Sequence, residues 1–143
     1  DLVTDKATGE QTIRVIDYKT GSPLKSTIKN MEEVFAGLSS KHSDYYLQTF
    51  LYAFIVNNSS KLNPSRNNVS PALLFIKQAS NEDYDPVLDI DAHRISDIGI
   101  YQAEYMKLLK EKLCEIFSKE VPFTPTENSG KCKNCTYRKL CGK

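Results

Sequence analysis

Val15-Ile16-Asp17-Tyr18-Lys19-Thr20-Gly21 carries an acid and a base two residues apart at the end of an apolar run, then breaks at a glycine. In an extended strand, residues two apart point to the same side, so Asp17 and Lys19 share one face and Tyr18 takes the other. Val15 and Ile16 anchor the approach in a core. A carboxylate and an ammonium in that position are costly unless they are paired, ligating or exposed in a cleft. Gly21 is expected to let the chain turn away from the cleft. Just upstream, Leu2-Val3-Thr4 and Thr12-Ile13-Arg14 are rich in β-formers, and Gly9 between them suits the left-handed position of a short loop. The result is a hairpin with Asp17 at the far end of its second strand.

Gly21-Ser22-Pro23 ends the hairpin, and residues 25–40 read as a polar connection with a short helical turn at 31–36. Ser43 or Asp44 caps a helix predicted over residues 45–56. Leu47, Leu51, Phe54 and Ile55 make it apolar on most sides, which predicts deep packing. Residues 57–68, rich in Asn and Ser, form a loop. The apolar run 72–76 follows Pro71 and reads as an interior strand. Residues 80–93 are acidic and irregular, with a weak strand at 87–90. A long helix is predicted over 96–118, its stripe made by Ile100, Met106, Leu109 and Leu113 and continued by Phe117. Pro122 and Pro125 end all helix. The order β-β-α-β-α specifies a mixed α/β domain, a small sheet covered by helices.

The chain has 143 residues, 40% of them hydrophobic and 26% charged, with a formal net charge of +1. That length suits one domain that buries roughly two-thirds of its unfolded surface. The near-zero charge argues against a tail that binds polyanions by charge alone, but leaves room for a local basic groove. No apolar run approaches the ~20 residues of a membrane span and no signal peptide is evident, so no membrane partner is expected. The chain opens on Asp1-Leu2-Val3 in mid-pattern and reads as the C-terminal part of something longer. Cys114 stands alone, while Cys132, Cys135 and Cys141 crowd the end. That clustering suits a metal site in a reducing compartment better than a disulfide framework.

Three features carry chemistry. Asp17 and Lys19 at a strand end could seat a magnesium ion, which needs one or two carboxylates and keeps several waters. The lysine could then orient a water and stabilise charge developing on a phosphate. Asp-x-Lys alone is a very short pattern that a surface ion pair at a strand end also explains. In Gln48-Thr49-Phe50-Leu51-Tyr52, the Gln48 and Tyr52 side chains share a helix face and need partners if buried. They either flank the cleft or form a polar pair at the rim of the helix. Cys132-x2-Cys135-x5-Cys141 supplies three thiolates, the soft ligands chosen by iron–sulfur clusters and zinc, one short of the usual four. Cys114, beside Leu113 and Ile116, reads as a small core residue. His42 and His93 read as solvated loop residues.

In this order the three motifs resemble the RecB-like nuclease domains of the PD-(D/E)XK superfamily. The likeness runs over essentially the whole chain. It is nearest to the C-terminal nuclease of AddB-type helicase–nuclease subunits and to the related CRISPR-adaptation exonucleases. It rests on Ile16-Asp17-Tyr18-Lys19-Thr20-Gly21, on Gln48-x3-Tyr52 and on the cysteine tail. The resemblance implies a restriction-endonuclease-like mixed sheet flanked by helices, with a nuclease core over residues 1–126 and a cysteine-rich staple over 127–143. It further implies a magnesium- or manganese-dependent deoxyribonuclease, an exonuclease of DNA repair or recombination. Such an enzyme would work on DNA in the cytoplasm, beside a helicase region or a partner helicase–nuclease subunit. The alternatives are a CRISPR-adaptation type exonuclease, a nuclease-like module that binds DNA without cutting it, and a plain zinc-bound structural domain.

By the same resemblance, Asp17 would ligate the metal with the Tyr18 carbonyl beside it, and Lys19 would be catalytic. Gln48 and Tyr52 would lie next to the DNA. Cys132, Cys135 and Cys141 would hold a 4Fe-4S cluster, or zinc, with the fourth ligand outside this chain rather than at Cys114. The sequence departs from the family in two further places. The first metal-binding Asp belongs on the preceding strand, where Asp1 is the only candidate, and the family's upstream His has no match. Were Asp1 the second, non-ligand Asp of that strand, this chain alone would lack a metal ligand and be inactive.

Overall fold

The hairpin is present: β1 (Leu2–Thr4) and β2 (Gln11–Lys19) pair antiparallel, with Leu2 opposite Ile13 and Thr4 opposite Gln11. Its loop is fixed by Asp5, whose carboxylate accepts the Ala7 and Thr8 N–H groups at 2.8 and 2.9 Å. Gly9 takes φ +71°, the left-handed conformation that glycine adopts without penalty. The computed structural model describes residues 1–22, 27–37, 41–122, 124, 126 and 129–142. Pro23, residues 25–26 and 38–40 of the expected connection, Pro125 and the start of the tail at Glu127 lie outside the described residues.

β3 (Asn68–Phe75) runs parallel to β2, from Thr12 opposite Asn68 to Lys19 opposite Phe75. The sheet order is therefore β1-β2-β3, one antiparallel and one parallel pair. Parallel neighbours need a crossover, and here it contains α1 (Met31–Phe35) and α2 (Ser43–Asn58). β3 begins four residues earlier than expected and contains Pro71, which the sequence placed before the strand. The reason lies in the direction of the missing donor. The Pro71 carbonyl accepts Leu88 N–H at 3.0 Å, and Leu73 N–H reaches Pro86 O at 2.8 Å. One strand residue's N–H and C=O face the same side, so the absent N–H of Pro71 falls on this irregular outer edge and spares the β2 ladder. Past Phe75, the chain leaves the strand in a 3₁₀ turn, Ile76–Gln78. The weak strand expected at 87–90 is realised as β4 (Asp89–Ile90), paired with β5 (His93–Arg94), while Val87 bridges to Ala72.

α2 starts two residues before its predicted range. Its N-cap is His42, in the left-handed conformation at φ 50° and without a side-chain capping bond, rather than Ser43 or Asp44. Tyr46, Phe50, Ala53 and Phe54 recur at helical spacing and are buried over Ile13, Val15, Leu73 and Phe75 of the sheet. Leu51 and Ile55, expected inside, are 38% and 54% exposed. A helix lying on one sheet surface buries one stripe, and these two fall on the other.

α3 (Gln102–Phe117) is shorter than its predicted 96–118, because a 3₁₀ turn, Ile98–Tyr101, precedes it. Asp97 caps that turn by accepting Gly99 N–H at 2.9 Å. The packed stripe is also different from the one expected. Tyr105 is fully buried, with Tyr101, Leu108 and Leu109 beside the core, whereas Ile100, Met106, Leu113 and Phe117 are exposed. Tyr105 sets this phase, its ring 4.7 Å from that of Phe54 and 5.2 Å from that of Phe35. Its hydroxyl donates to Leu47 O at 3.0 Å. Burial pushes the phenol up to about 12.

Residues Asp1–Lys112 form one compact unit. Leu113–Lys143 form a second, which holds the end of α3 and α4 (Ser129–Cys132). Among the described residues, no helix is long and apolar enough to cross a membrane.

Candidate active site

The end of β2 and the first half of α2 build one cluster. Asp17 and Lys19 both stand on the face of β2 that α2 covers, while Tyr18 projects to the other side and is 64% exposed. Lys19 Nζ lies 2.7 Å from Asp17 Oδ2, both side chains being only 15% exposed. Lys19 Nζ donates to Gln48 Oε1 at 3.0 Å, and Gln48 Nε2 donates to the Tyr52 hydroxyl at 2.8 Å. The parallel register and the crossover thus join residues 29 positions apart into one polar line, Asp17–Lys19–Gln48–Tyr52.

Two features of this line bear on chemistry. The contact between Lys19 and Asp17 has the distance of an ion pair but not the geometry of a hydrogen bond, and Asp17 Oδ2 is buried without a hydrogen-bond partner. That oxygen is charge-paired with the Lys19 ammonium rather than hydrogen-bonded, and a near-buried carboxylate with spare acceptor capacity can also hold a metal cation. The lysine is also held on a third side, its Nζ 4.3 Å from the centroid of the Tyr45 ring. Tyr45 was not picked out in the sequence, although its position three residues before Gln48 and seven before Tyr52 puts all three on one helix stripe. His42 is not a free loop residue either. It is half-buried, with its ring stacked on Tyr45 at 4.7 Å and 14°. His93 is exposed, its ring nitrogen 2.7 Å from Asp91 O.

Asp1 sits elsewhere on the sheet. Its main chain pairs with Arg14, Arg14 N–H reaching Asp1 O at 2.7 Å, three residues before Asp17 on β2. At about 3.3 Å per residue, that register sets the Asp1 main chain roughly 10 Å from Asp17 along the strand, at a position of the opposite sheet face. Among the described residues, no three His, Cys, Asp or Glu side chains stand close enough to hold a metal together. What this arrangement offers a magnesium-like ion is the single carboxylate of Asp17, within the one or two such an ion needs.

The same holds for the tail, where an iron–sulfur cluster finds no support among the described residues. Cys132, Cys135 and Cys141 are free thiols that do not gather around one point. Backbone turns set their spacing: Cys135 N–H bonds Cys132 O at 3.2 Å, and Cys141 N–H bonds Tyr137 O at 3.1 Å. As arranged, the tail does not fit an iron–sulfur cluster or a zinc ion. Cys114, expected in the core, is exposed on α3.

A family model described as PD-(D/E)XK nuclease superfamily matches residues 1–142. The chain belongs to this superfamily. No curated protein and no solved structure matches it. The mixed three-stranded sheet flanked by helices is consistent with the restriction-endonuclease-like fold of PD-(D/E)XK nucleases.

Gly21 ends the motif without being needed for space. Its φ lies outside the left-handed range, and among the described residues a Cβ there would meet only the Tyr45 hydroxyl, at 3.8 Å. The path beyond Ser22, by which the chain is expected to leave the cleft, lies outside the described residues. Gly21→Ala should leave the protein as stable as before or raise its stability by about 0.4–1 kcal/mol, through lost freedom of the unfolded chain. Urea denaturation of the two proteins side by side checks this, and a loss of 1 kcal/mol or more would show a steric demand at Gly21.

Proposed function

We propose that this chain is the nuclease domain of a RecB/AddB-like helicase–nuclease, degrading DNA from its ends with magnesium or manganese. The observation that carries the reading is the polar line itself. A near-buried lysine is held between the Asp17 carboxylate and a glutamine–tyrosine pair, at the strand end to which the resemblance assigns the metal and lysine motif. Each side chain has a part. Asp17 would hold the cation, with the Tyr18 carbonyl beside it, and Asp1 is retained as the upstream ligand only if the chain rearranges on binding. A bound magnesium would supply Lewis acidity at the scissile phosphate. Lys19 places a fixed positive charge where negative charge grows on the phosphate oxygens, an interaction worth most in the transition state. Gln48 aims the Lys19 ammonium, and its own amide is oriented by Tyr52. Tyr52, 42% exposed, would offer its ring to a passing DNA strand.

The adjoining helicase or partner subunit, the repair role and a cytoplasmic setting belong to this proposal. The test is degradation of end-labelled linear DNA against covalently closed circular DNA of the same sequence, with and without magnesium. Release of nucleotides from the linear form alone is expected. Cutting of the closed circle would make the chain an endonuclease. Binding of both forms without cutting of either, in the longest natural form of the protein, would favour the non-catalytic DNA-binding reading.

A further inference from the structure

We propose that Tyr45 is the positioning residue of Lys19, and that His42 holds the Tyr45 ring in place. The proposal rests on Lys19 being the catalytic lysine. A lysine ammonium is a compact charge on a flexible four-carbon stem, so two polar contacts alone leave it several ways to swing out. Here one of the two, to Asp17, lacks hydrogen-bond geometry. The face of the Tyr45 ring, 4.3 Å from Nζ at its centroid, supplies the missing restraint through its attraction for cations.

The ring is in turn built in. Phe75, the β3 residue opposite Lys19, tilts against it at 6.5 Å, and His42 stacks on it at 4.7 Å. His42 occupies the left-handed region at φ 50°, which few side chains other than Asn, Asp and His adopt. It also leaves the start of α2 without a side-chain cap. A capping side chain works from an extended backbone, which this position does not have. The local backbone therefore favours ring stacking over capping, and the stacked pair ends at the lysine. The Tyr45 hydroxyl has no part in this, so the ring alone should suffice.

Three variants of the full chain, Tyr45→Leu, Tyr45→Phe and His42→Asn, test it with two readouts. The first is the NMR signal of the Lys19 side-chain methylene next to the amine, assigned by its loss in Lys19→Arg. In the parent it lies upfield of the exposed lysines because of the ring current. Tyr45→Leu should return it to their position, Tyr45→Phe should keep it upfield, and His42→Asn should move it part of the way. The second readout is DNA degradation. Tyr45→Leu should lower kcat about tenfold with little change in the DNA concentration giving half-maximal rate, in line with the strength of a partly desolvated cation–ring contact. Tyr45→Phe should restore the rate to within about threefold.

Failure of the longest natural form of the parent to degrade DNA removes the nuclease reading, yet the NMR readout still decides the placement of Lys19. An unmoved Lys19 signal in Tyr45→Leu overturns the proposal, as does Tyr45→Phe behaving like Tyr45→Leu. If Tyr45→Leu does not fold, His42→Asn decides by the same two readouts, and no change in either overturns it.

Discussion

Lys19→Ala is expected to lower magnesium-dependent DNA degradation by about 100-fold or more while leaving DNA affinity within a few-fold of the parent. The magnitude is that of removing one fixed charge-stabilising donor from a reacting centre. The split follows because the lysine acts on charge that exists only in the transition state, so turnover falls and ground-state binding does not. A second consequence must be separated from the first. Without the ammonium, Asp17 keeps a carboxylate that is 15% exposed and has lost its one cationic neighbour among the described residues. That costs stability, on the order of 1–3 kcal/mol. Lys19→Met keeps the stem against Tyr45 and serves as the control for packing. Thermal unfolding of both variants shows whether the fold survives at the assay temperature. Parental rates in a folded Lys19→Ala protein would remove the assignment of Lys19.

Tyr105→Ala should be the most damaging single change to the fold. It empties a fully buried aromatic site shared by Phe35, Phe50 and Phe54, and large-to-small changes of this kind cost about 3–5 kcal/mol. A protein of this size has roughly 5–15 kcal/mol in all, so the variant should be partly unfolded or melt some 10–20 °C lower. Tyr105→Phe separates packing from polarity. It leaves Leu47 O without the hydroxyl that donates to it at 3.0 Å and should cost only about 1 kcal/mol. Urea denaturation of the three proteins gives the ordering. A Tyr105→Ala loss below 1 kcal/mol would show that the core does not depend on this ring.

What could be read in advance was local. Asp17 and Lys19 share a face because a strand has period two, and Gln48 and Tyr52 do so because a helix turn spans about four residues. Each inference needed only its own element. The short helix at Met31–Phe35 and the left-handed Gly9 were legible for the same reason. Which stripe of a helix faces the sheet depends on docking, and there the apolar pattern misled. Leu51, Ile55 and Met106 were as plausible inside as Tyr46 and Tyr105, until large aromatic rings claimed the available volume. The Lys19–Tyr45 contact was hidden because it joins two elements at a rotation that only packing sets. Pro71 was misplaced because sequence shows that a donor is missing but not which edge it is missing from. The cysteine spacing suggested a shared centre, and turn hydrogen bonds gave another arrangement.

That proline has a consequence for how copies of this chain behave when crowded. A sheet edge with free donors and acceptors invites a foreign strand, and chains that recruit one another in this way grow into fibres. The outer edge of β3 offers little purchase, since Pro71 lacks one donor and the stretch around Pro86 to Leu88 already occupies its neighbours. Recruitment along β3 would first have to displace that stretch, which leaves a newly made chain little opportunity to aggregate through this edge.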